Sequence, residues 1–352
     1  MRWYHGTPVV LIMDEACFCF ALRGRRSPQS KGLKTTWSQM QSITFRELSD
    51  QLVILYNQRK FDDALRLMEE QRESFPEQAT RTTFWRMCLL SLAGRSTEVL
   101  PVFQQGLDSG QWWSRELFAD PDLDAVRDLP EFQRLVAISE ERYQEERTRI
   151  PRDQAILLPE PPASGSYPLL LALHGRNGNK ESHLEFWEVA RQRGWLVVSP
   201  QSTQPLFPGA YCWDSTAQGM ADVLYSYEQT LGQYEIDPRR VIIAGFSQGS
   251  GMALHTALSG NLPARGFIGI ASWWLDPKSL LPQTESAKRL RGYFITGEKD
   301  HTFDTAREIQ NTLQENHIPF GEETHPDLAH EFPSDFQKSF DTAIDFIFKE
   351  QE

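Results

Sequence analysis

Gly245-Phe246-Ser247-Gln248-Gly249 sets one serine between glycines, directly after the apolar run Val241-Ile242-Ile243-Ala244 and before a stretch holding Gly251, Met252, Ala253 and Leu254. A buried strand, a sharp turn and a small-residue helix are the context in which G-x-S-x-G presents a nucleophile. The glycines let the chain turn tightly and let the helix pass close to the strand, so the hydroxyl stands at the tip. A serine hydroxyl is a poor nucleophile at neutral pH. It needs a base to take its proton, and the oxyanion that its attack creates needs N–H donors already in place.

The elements around this pentapeptide read as alternating strands and helices from Pro151 onward. Apolar runs predict strands at 154–158, 169–173, 195–199, 241–244, 267–271, 293–296 and 320–324, with helices at 182–193, 217–231, 248–258, 305–316 and 335–349. Short apolar strands separated by helices imply a mostly parallel sheet covered on both faces. Ligands in such sheets bind beyond the carboxyl ends of the strands, which is where the serine falls.

Together with Leu173-His174-Gly175, the serine motif resembles the α/β-hydrolase superfamily, and within it the phospholipase/carboxylesterase group that includes acyl-protein thioesterases and bacterial carboxylesterases. The resemblance covers about residues 151–350 and implies the order serine, acid, histidine. Gly297-Glu298-Lys299-Asp300, after the strand at 293–296, is similar to the family's G-x-x-D turn, and His330 falls where the family keeps its histidine, ahead of the last helix. The resemblance thus implies Ser247 as nucleophile, His330 as base and Asp300 as the group orienting it. It also implies the backbone N–H groups of Gln248 and Arg176 as oxyanion donors, though Arg176-Asn177-Gly178-Asn179 is shorter and more polar than many family versions. Ala271-Ser272-Trp273-Trp274 loosely resembles a small-residue turn of the family, with bulkier residues.

Each role has rivals. Asp276 and Asp304 are alternative acids, and His325, at the end of the last strand, is the alternative base. His174 reads as structural and His255 as packed or exposed on its helix; His183, His301 and His317 carry no signal. Tyr211, Trp213, Trp273 and Trp274 follow strands and either wall a substrate site or plug the core beneath long loops. No metal-ligand cluster, phosphate loop or cofactor fingerprint stands out, so neither metal nor cofactor is expected.

Residues 41–150 follow a helical period instead. Phe45, Leu48, Leu52, Leu55 and Tyr56 recur at three- and four-residue spacing, and Phe61, Ala64, Leu65 and Met68 continue after a turn at Asn57-Gln58-Arg59-Lys60. A shift of 35 residues sets Leu52 on Met87, Leu55 on Leu90, Ala64 on Val99 and Leu67 on Val102. Helix pairs at that period resemble tetratricopeptide repeats, whose period is about 34. A further helix around 132–146 is expected to cap the stack. Such a stack presents a surface for a protein partner or self-association, or simply packs on its neighbour. The fold expected is therefore α/β, an α/β-hydrolase domain at 151–352 preceded by a small all-α, helical-repeat-like domain at 41–150.

The 352 residues hold 36 basic and 48 acidic side chains, a formal charge of −12. That balance argues against a general nucleic-acid binder, whose affinity rests on Lys and Arg. No apolar run reaches the roughly 18 residues of a membrane span. Four scattered cysteines, Cys17, Cys19, Cys88 and Cys212, suit a reducing, cytoplasmic setting better than a disulfide scaffold. Residues 1–40 carry +4, and their two apolar pieces are split by Asp14-Glu15, which disfavours a secretory signal; an unstructured extension, or a true start at Met40, is expected. The function expected is hydrolysis of a small carboxylic ester or thioester through an acyl-enzyme. A peptidase or amidase of the same fold, or an interaction module on an inactive hydrolase scaffold, are the alternatives.

Overall fold

The computed structural model describes residues 43–160 and 165–349. The expected extension, with Cys17 and Cys19, lies outside them. The described chain begins with a capping box. The Thr44 hydroxyl accepts the Glu47 N–H while the Glu47 carboxylate accepts the Thr44 N–H, so helix α1 (Phe45–Asn57) starts with paired donors. It pairs with α2 (Phe61–Glu70) across the turn expected at residues 57–60, and α3 (Ala79–Leu92) pairs likewise with α4 (Ser96–Asp108). After 3-10 turns at Arg115–Ala119 and Pro121–Leu123 come the short α5 (Asp124–Arg127) and the long α6 (Pro130–Arg147). Phe103, Phe118 and Phe132 cluster at the centre with ring centroids 5.0–5.8 Å apart. Trp113 lies fully buried beside them, its backbone N–H held by the Ser139 hydroxyl at 2.7 Å.

Seven strands form one sheet among the described residues: β1 (Gln154–Leu157), β2 (Tyr167–Leu173), β3 (Leu196–Pro200), β6 (Ile236–Phe246), β7 (Gly266–Ile270), β8 (Arg291–Gly297) and β9 (Phe320–His325), with a separate hairpin β4 (Pro205–Phe207) and β5 (Ala210–Tyr211). The sheet order is β1-β3-β2-β6-β7-β8-β9, with β1 antiparallel and every other pairing parallel. Alternation along β2 shows why these strands read as unbroken apolar runs. Leu169, Leu171 and Leu173 face one core while Leu170 and Ala172 face the other. Helix α7 (Leu184–Arg191) covers the second face together with the final helix. Helices α8 (Thr216–Gln233), α9 (Gln248–Ser259) and α10 (Phe303–Glu315) cover the first. That final helix is α11 (Phe336–Phe348), which buries Phe336, Phe340 and Ile347. The chain leaves β2 outward to β3 and returns to β6 on β2's other side. The carboxyl ends of β2 and β6 therefore flank the switch point, where a crevice opens.

The hairpin was not legible as strands, and it changes where the core divides. Leu206, Phe207, Ala210 and Cys212 are buried in the core of the helical unit, not in either face of the sheet. The boundary expected at residue 150 follows chain order, and these four residues from beyond it join the helical core. A chain beginning at residue 151 would expose all four side chains, and it is expected to aggregate or to bind a hydrophobic dye more strongly than the full chain. A soluble, dye-silent fragment with an unchanged unfolding midpoint would contradict this.

Candidate active site

Ser247 follows β6 directly and opens α9. Its backbone sits at φ 54°, ψ −125°, a region costly for any residue with a Cβ. The surroundings hold it there: the Ser247 N–H donates to Ile270 O at 2.9 Å, and Ser247 O accepts the N–H groups of Ser250 at 2.9 Å and Trp273 at 3.3 Å. The flanking glycines are required by contact distance. A Cβ on Gly249 would lie 2.2 Å from His174 O, and one on Gly245 would lie 2.3 Å from Gly249 O. The elbow is thus pressed against the loop after β2.

Asp300 and His330 come together from the carboxyl ends of β8 and β9. His330 Nδ1 lies 2.9 Å from Asp300 Oδ1 and 3.1 Å from Oδ2. Asp300 also accepts the Thr302 N–H at 2.8 Å and the Thr302 hydroxyl at 2.9 Å. Burial by itself would raise the Asp300 pKa, but the charge and hydrogen bond of His330, with the Thr302 N–H, outweigh it and keep the carboxyl below its usual range. The acid turn and the histidine loop are joined by backbone. Glu298 N–H donates to His325 O at 3.0 Å, and Lys299 N–H to Leu328 O at 3.0 Å. Gly297 permits this, because a Cβ there would meet Leu328 O at 2.2 Å. On its other side the His330 ring packs on Phe246, the residue before the serine, with centroids 4.8 Å apart.

The rivals stand elsewhere. His325 Nε2 pairs with Glu323 Oε1 at 2.8 Å, while Asp276 and Asp304 are both exposed. His301, which carried no signal in the sequence, lies with its ring 4.4 Å from His330 and its Nδ1 3.5 Å from Asp300 Oδ1.

Behind the elbow, His174 is fully buried, with Nδ1 2.8 Å from Gly175 O, and Trp213 packs on it and donates its indole N–H to His174 O at 2.8 Å. Trp213 is 1% exposed. Trp274 is also buried, stacking with His255 at 5.7 Å, and Tyr211 is tied by backbone to Asn177 and Gly178. Trp273 and Tyr211 are half-buried, and the Trp273 N–H donates to Ser247 O. An open groove of about 880 Å³ runs beside the histidine loop, lined by Phe186, Val189, Leu328, Phe332 and Phe336 with Arg46 of α1. Sequence reasoning missed Asp214, Glu116 and His183. The first two converge on Arg176, with distances of 2.6 and 2.9 Å. His183 caps α7 in the left-handed region, its ring against Phe246 and Phe332.

Burial pushes both His174 and His183 down to about 4. Folded values below the ordinary 6.5 mean that the unfolded chain binds more protons between those limits. Stability is then full above pH 6.5 and falls toward pH 4, on the order of 3 kcal/mol per histidine. Urea unfolding at pH 7 and pH 5 should therefore give a lower unfolding free energy at pH 5, less so in His183→Phe; equal values in the native chain would refute the assignment.

Residues 214–350 match the family model described as Phospholipase/Carboxylesterase, and residues 44–147 match one described as A/B hydrolase-like, N-terminal domain. The latter covers the helical unit, for which the sequence had suggested a tetratricopeptide likeness that this match does not support. A bifunctional acetylxylan esterase/xylanase of Neocallimastix patriciarum is 36% identical over 114 residues, covering 31% of this chain and 16% of that enzyme. The match therefore spans less than a fifth of that relative. Among solved structures, a protein of Bacillus cereus ATCC 10987 is 22% identical, covering 88% of this chain and all of that one, with a TM-score of 0.49. A fluorophosphonate-binding serine hydrolase of Staphylococcus aureus is 15% identical, over 56% of this chain and 92% of that one, with a TM-score of 0.44. No helix among the described residues is long and apolar enough to cross a membrane. Residues 214–350 thus match the phospholipase/carboxylesterase family model, and the mostly parallel sheet with helices on both faces is that of an α/β-hydrolase fold.

Proposed function

We propose that the chain hydrolyses small carboxylic esters, thioesters included, through an acyl group carried on Ser247. The observation that carries this reading is the Asp300–His330 pair at 2.9 Å beside a serine held in a strained turn at the sheet's switch point. Ser247 Oγ attacks the carbonyl carbon as His330 Nε2 takes its proton. Asp300 accepts the other ring N–H and stabilises the imidazolium. The oxyanion forms against the N–H groups of Gln248 and Arg176, and it collapses to expel the alcohol or thiol, which takes the proton from His330. Water then attacks the acyl-enzyme by the same route in reverse, releasing the acid and freeing Ser247.

Trp273, whose N–H donates to Ser247 O, is the surface on which this reading places the acyl group. The family match and the partial likeness to an acetylxylan esterase support ester chemistry over amide chemistry.

Ser247→Ala is expected to abolish both p-nitrophenyl ester turnover and fluorophosphonate labelling while the unfolding midpoint holds. Asp300→Asn should lower kcat by about 10⁴, the loss typical when the base takes the wrong tautomer. His325→Ala should keep full activity, and His330→Ala should lose it. The reverse pattern at the two histidines would move the base to His325. Turnover of peptide anilides without turnover of esters would favour the peptidase.

A further inference from the structure

The Arg176 side chain turns inward and is 10% exposed. There it meets two carboxylates from different parts of the chain. Nη2 lies 2.9 Å from Glu116 Oε1, in the 3-10 turn Arg115–Ala119 of the helical unit, and Nη1 lies 2.6 Å from Asp214 Oδ1, just ahead of α8. Asp214 Oδ1 also accepts from Gln248 Nε2 at 2.6 Å, and the other end of that amide, Oε1, accepts the Trp213 N–H at 2.9 Å. A single carboxylate oxygen therefore gathers the side chains of the two residues whose backbone N–H groups are the proposed oxyanion donors.

The helical unit grips the same loop at its next residue. Arg81 of α3 donates from Nη2 to Asn177 O at 2.7 Å, and its guanidinium lies over Phe207 of the hairpin. Asn177 itself sits at φ 63°, with its N–H on Tyr211 O at 2.9 Å. Residues 175–178 are thus fixed from the helical side as well as from the sheet.

We propose that Asp214 and Glu116 are positioning residues for the oxyanion hole, and that the helical domain, through Glu116, holds the Arg176 N–H where the oxyanion forms. This rests on the serine-hydrolase reading above. Donors of this kind act only within about 2.7–3.1 Å of the developing charge, so a small displacement of the loop costs turnover and leaves ground-state binding intact. Two carboxylates share one guanidinium, and they do not share it equally. Burial and the nearby Asp214 raise the Glu116 pKa against the pull of Arg176, while Asp214 is held below its usual range despite its burial, by Arg176 and Gln248. Glu116, at 2.9 Å against 2.6 Å for Asp214, makes the longer of the two contacts.

The test uses the full chain and a short-acyl p-nitrophenyl ester, with kcat and KM measured separately. Glu116→Gln removes the charge and keeps the shape. Its kcat is expected to fall about tenfold or more with KM held within about twofold, and fluorophosphonate labelling of Ser247 should slow in step. Asp214→Asn should approach the loss of about 10²–10³ seen when one oxyanion donor is removed. Glu116→Asp, which restores the charge, should recover part of kcat. If Glu116→Gln does not fold, Asp214→Asn carries the test by the same readouts. Unchanged kcat in the folded variants, or a rise in KM alone, overturns the proposal and leaves the hydrolase reading standing. A Ser247→Ala protein as active as the native chain would instead overturn that reading, and this inference with it.

Discussion

The close approach of the elbow to the loop after β2 is the constraint on which the rest of the structure depends. Gly249 lies so near the carbonyl of His174 that a methyl group there would sit 2.2 Å from its oxygen. Only with that approach can α9 pass over the end of β2 and bring Ser247, Gln248 and the 174–178 loop together at one switch point. The strained backbone of Ser247, worth roughly 1–3 kcal/mol, is held by four backbone hydrogen bonds and by the buried end of the strand before it, residues 241–246. The aromatic stack of Phe246 and Phe332, nearly parallel at 5.2 Å, ties the same turn to the loop carrying His330. The proposed nucleophile and base are therefore positioned by packing that no single side chain controls.

The helical domain is more than an appendage to this sheet. It completes its own core with a hairpin inserted between β3 and α8, and it reaches back to the 175–178 loop through Arg81 and Glu116. A polar contact also runs from Arg46 of α1 to Glu331, beside His330, but both side chains are well exposed and the pair contributes little. The contact to Arg176 is of another kind: its guanidinium is 10% exposed and is shared by Glu116 and Asp214.

Much of this was legible in the sequence for a physical reason. Strands buried on both faces must be apolar throughout, and a serine turn that tight admits only G-x-S-x-G, so β6, the elbow and α9 could be read directly. Asp300 and His330, expected from the order of serine, acid and histidine, lie in the loops after β8 and β9 and meet there. His325, the alternative base, pairs with Glu323, two residues away on the same strand. The hairpin was invisible because strands of three and two residues carry no period, and their apolar side chains serve the helical core. Asp214 and Glu116 were hidden for a different reason. Each is one acid among 48, and what distinguishes them is that Arg176 reaches both, a fact of packing that no local pattern encodes. Trp213 read as a candidate substrate contact because it follows a strand; its indole N–H instead serves the His174 carbonyl behind the site.

Passage of the acyl group through Ser247 is tested by rapid quenching of the native chain with p-nitrophenyl acetate, followed by peptide mass spectrometry. An acetyl adduct is expected on the peptide holding Ser247, formed in a burst with p-nitrophenol and accumulating further in a variant slowed in deacylation. Steady turnover with no adduct, or an adduct on another residue, would contradict it.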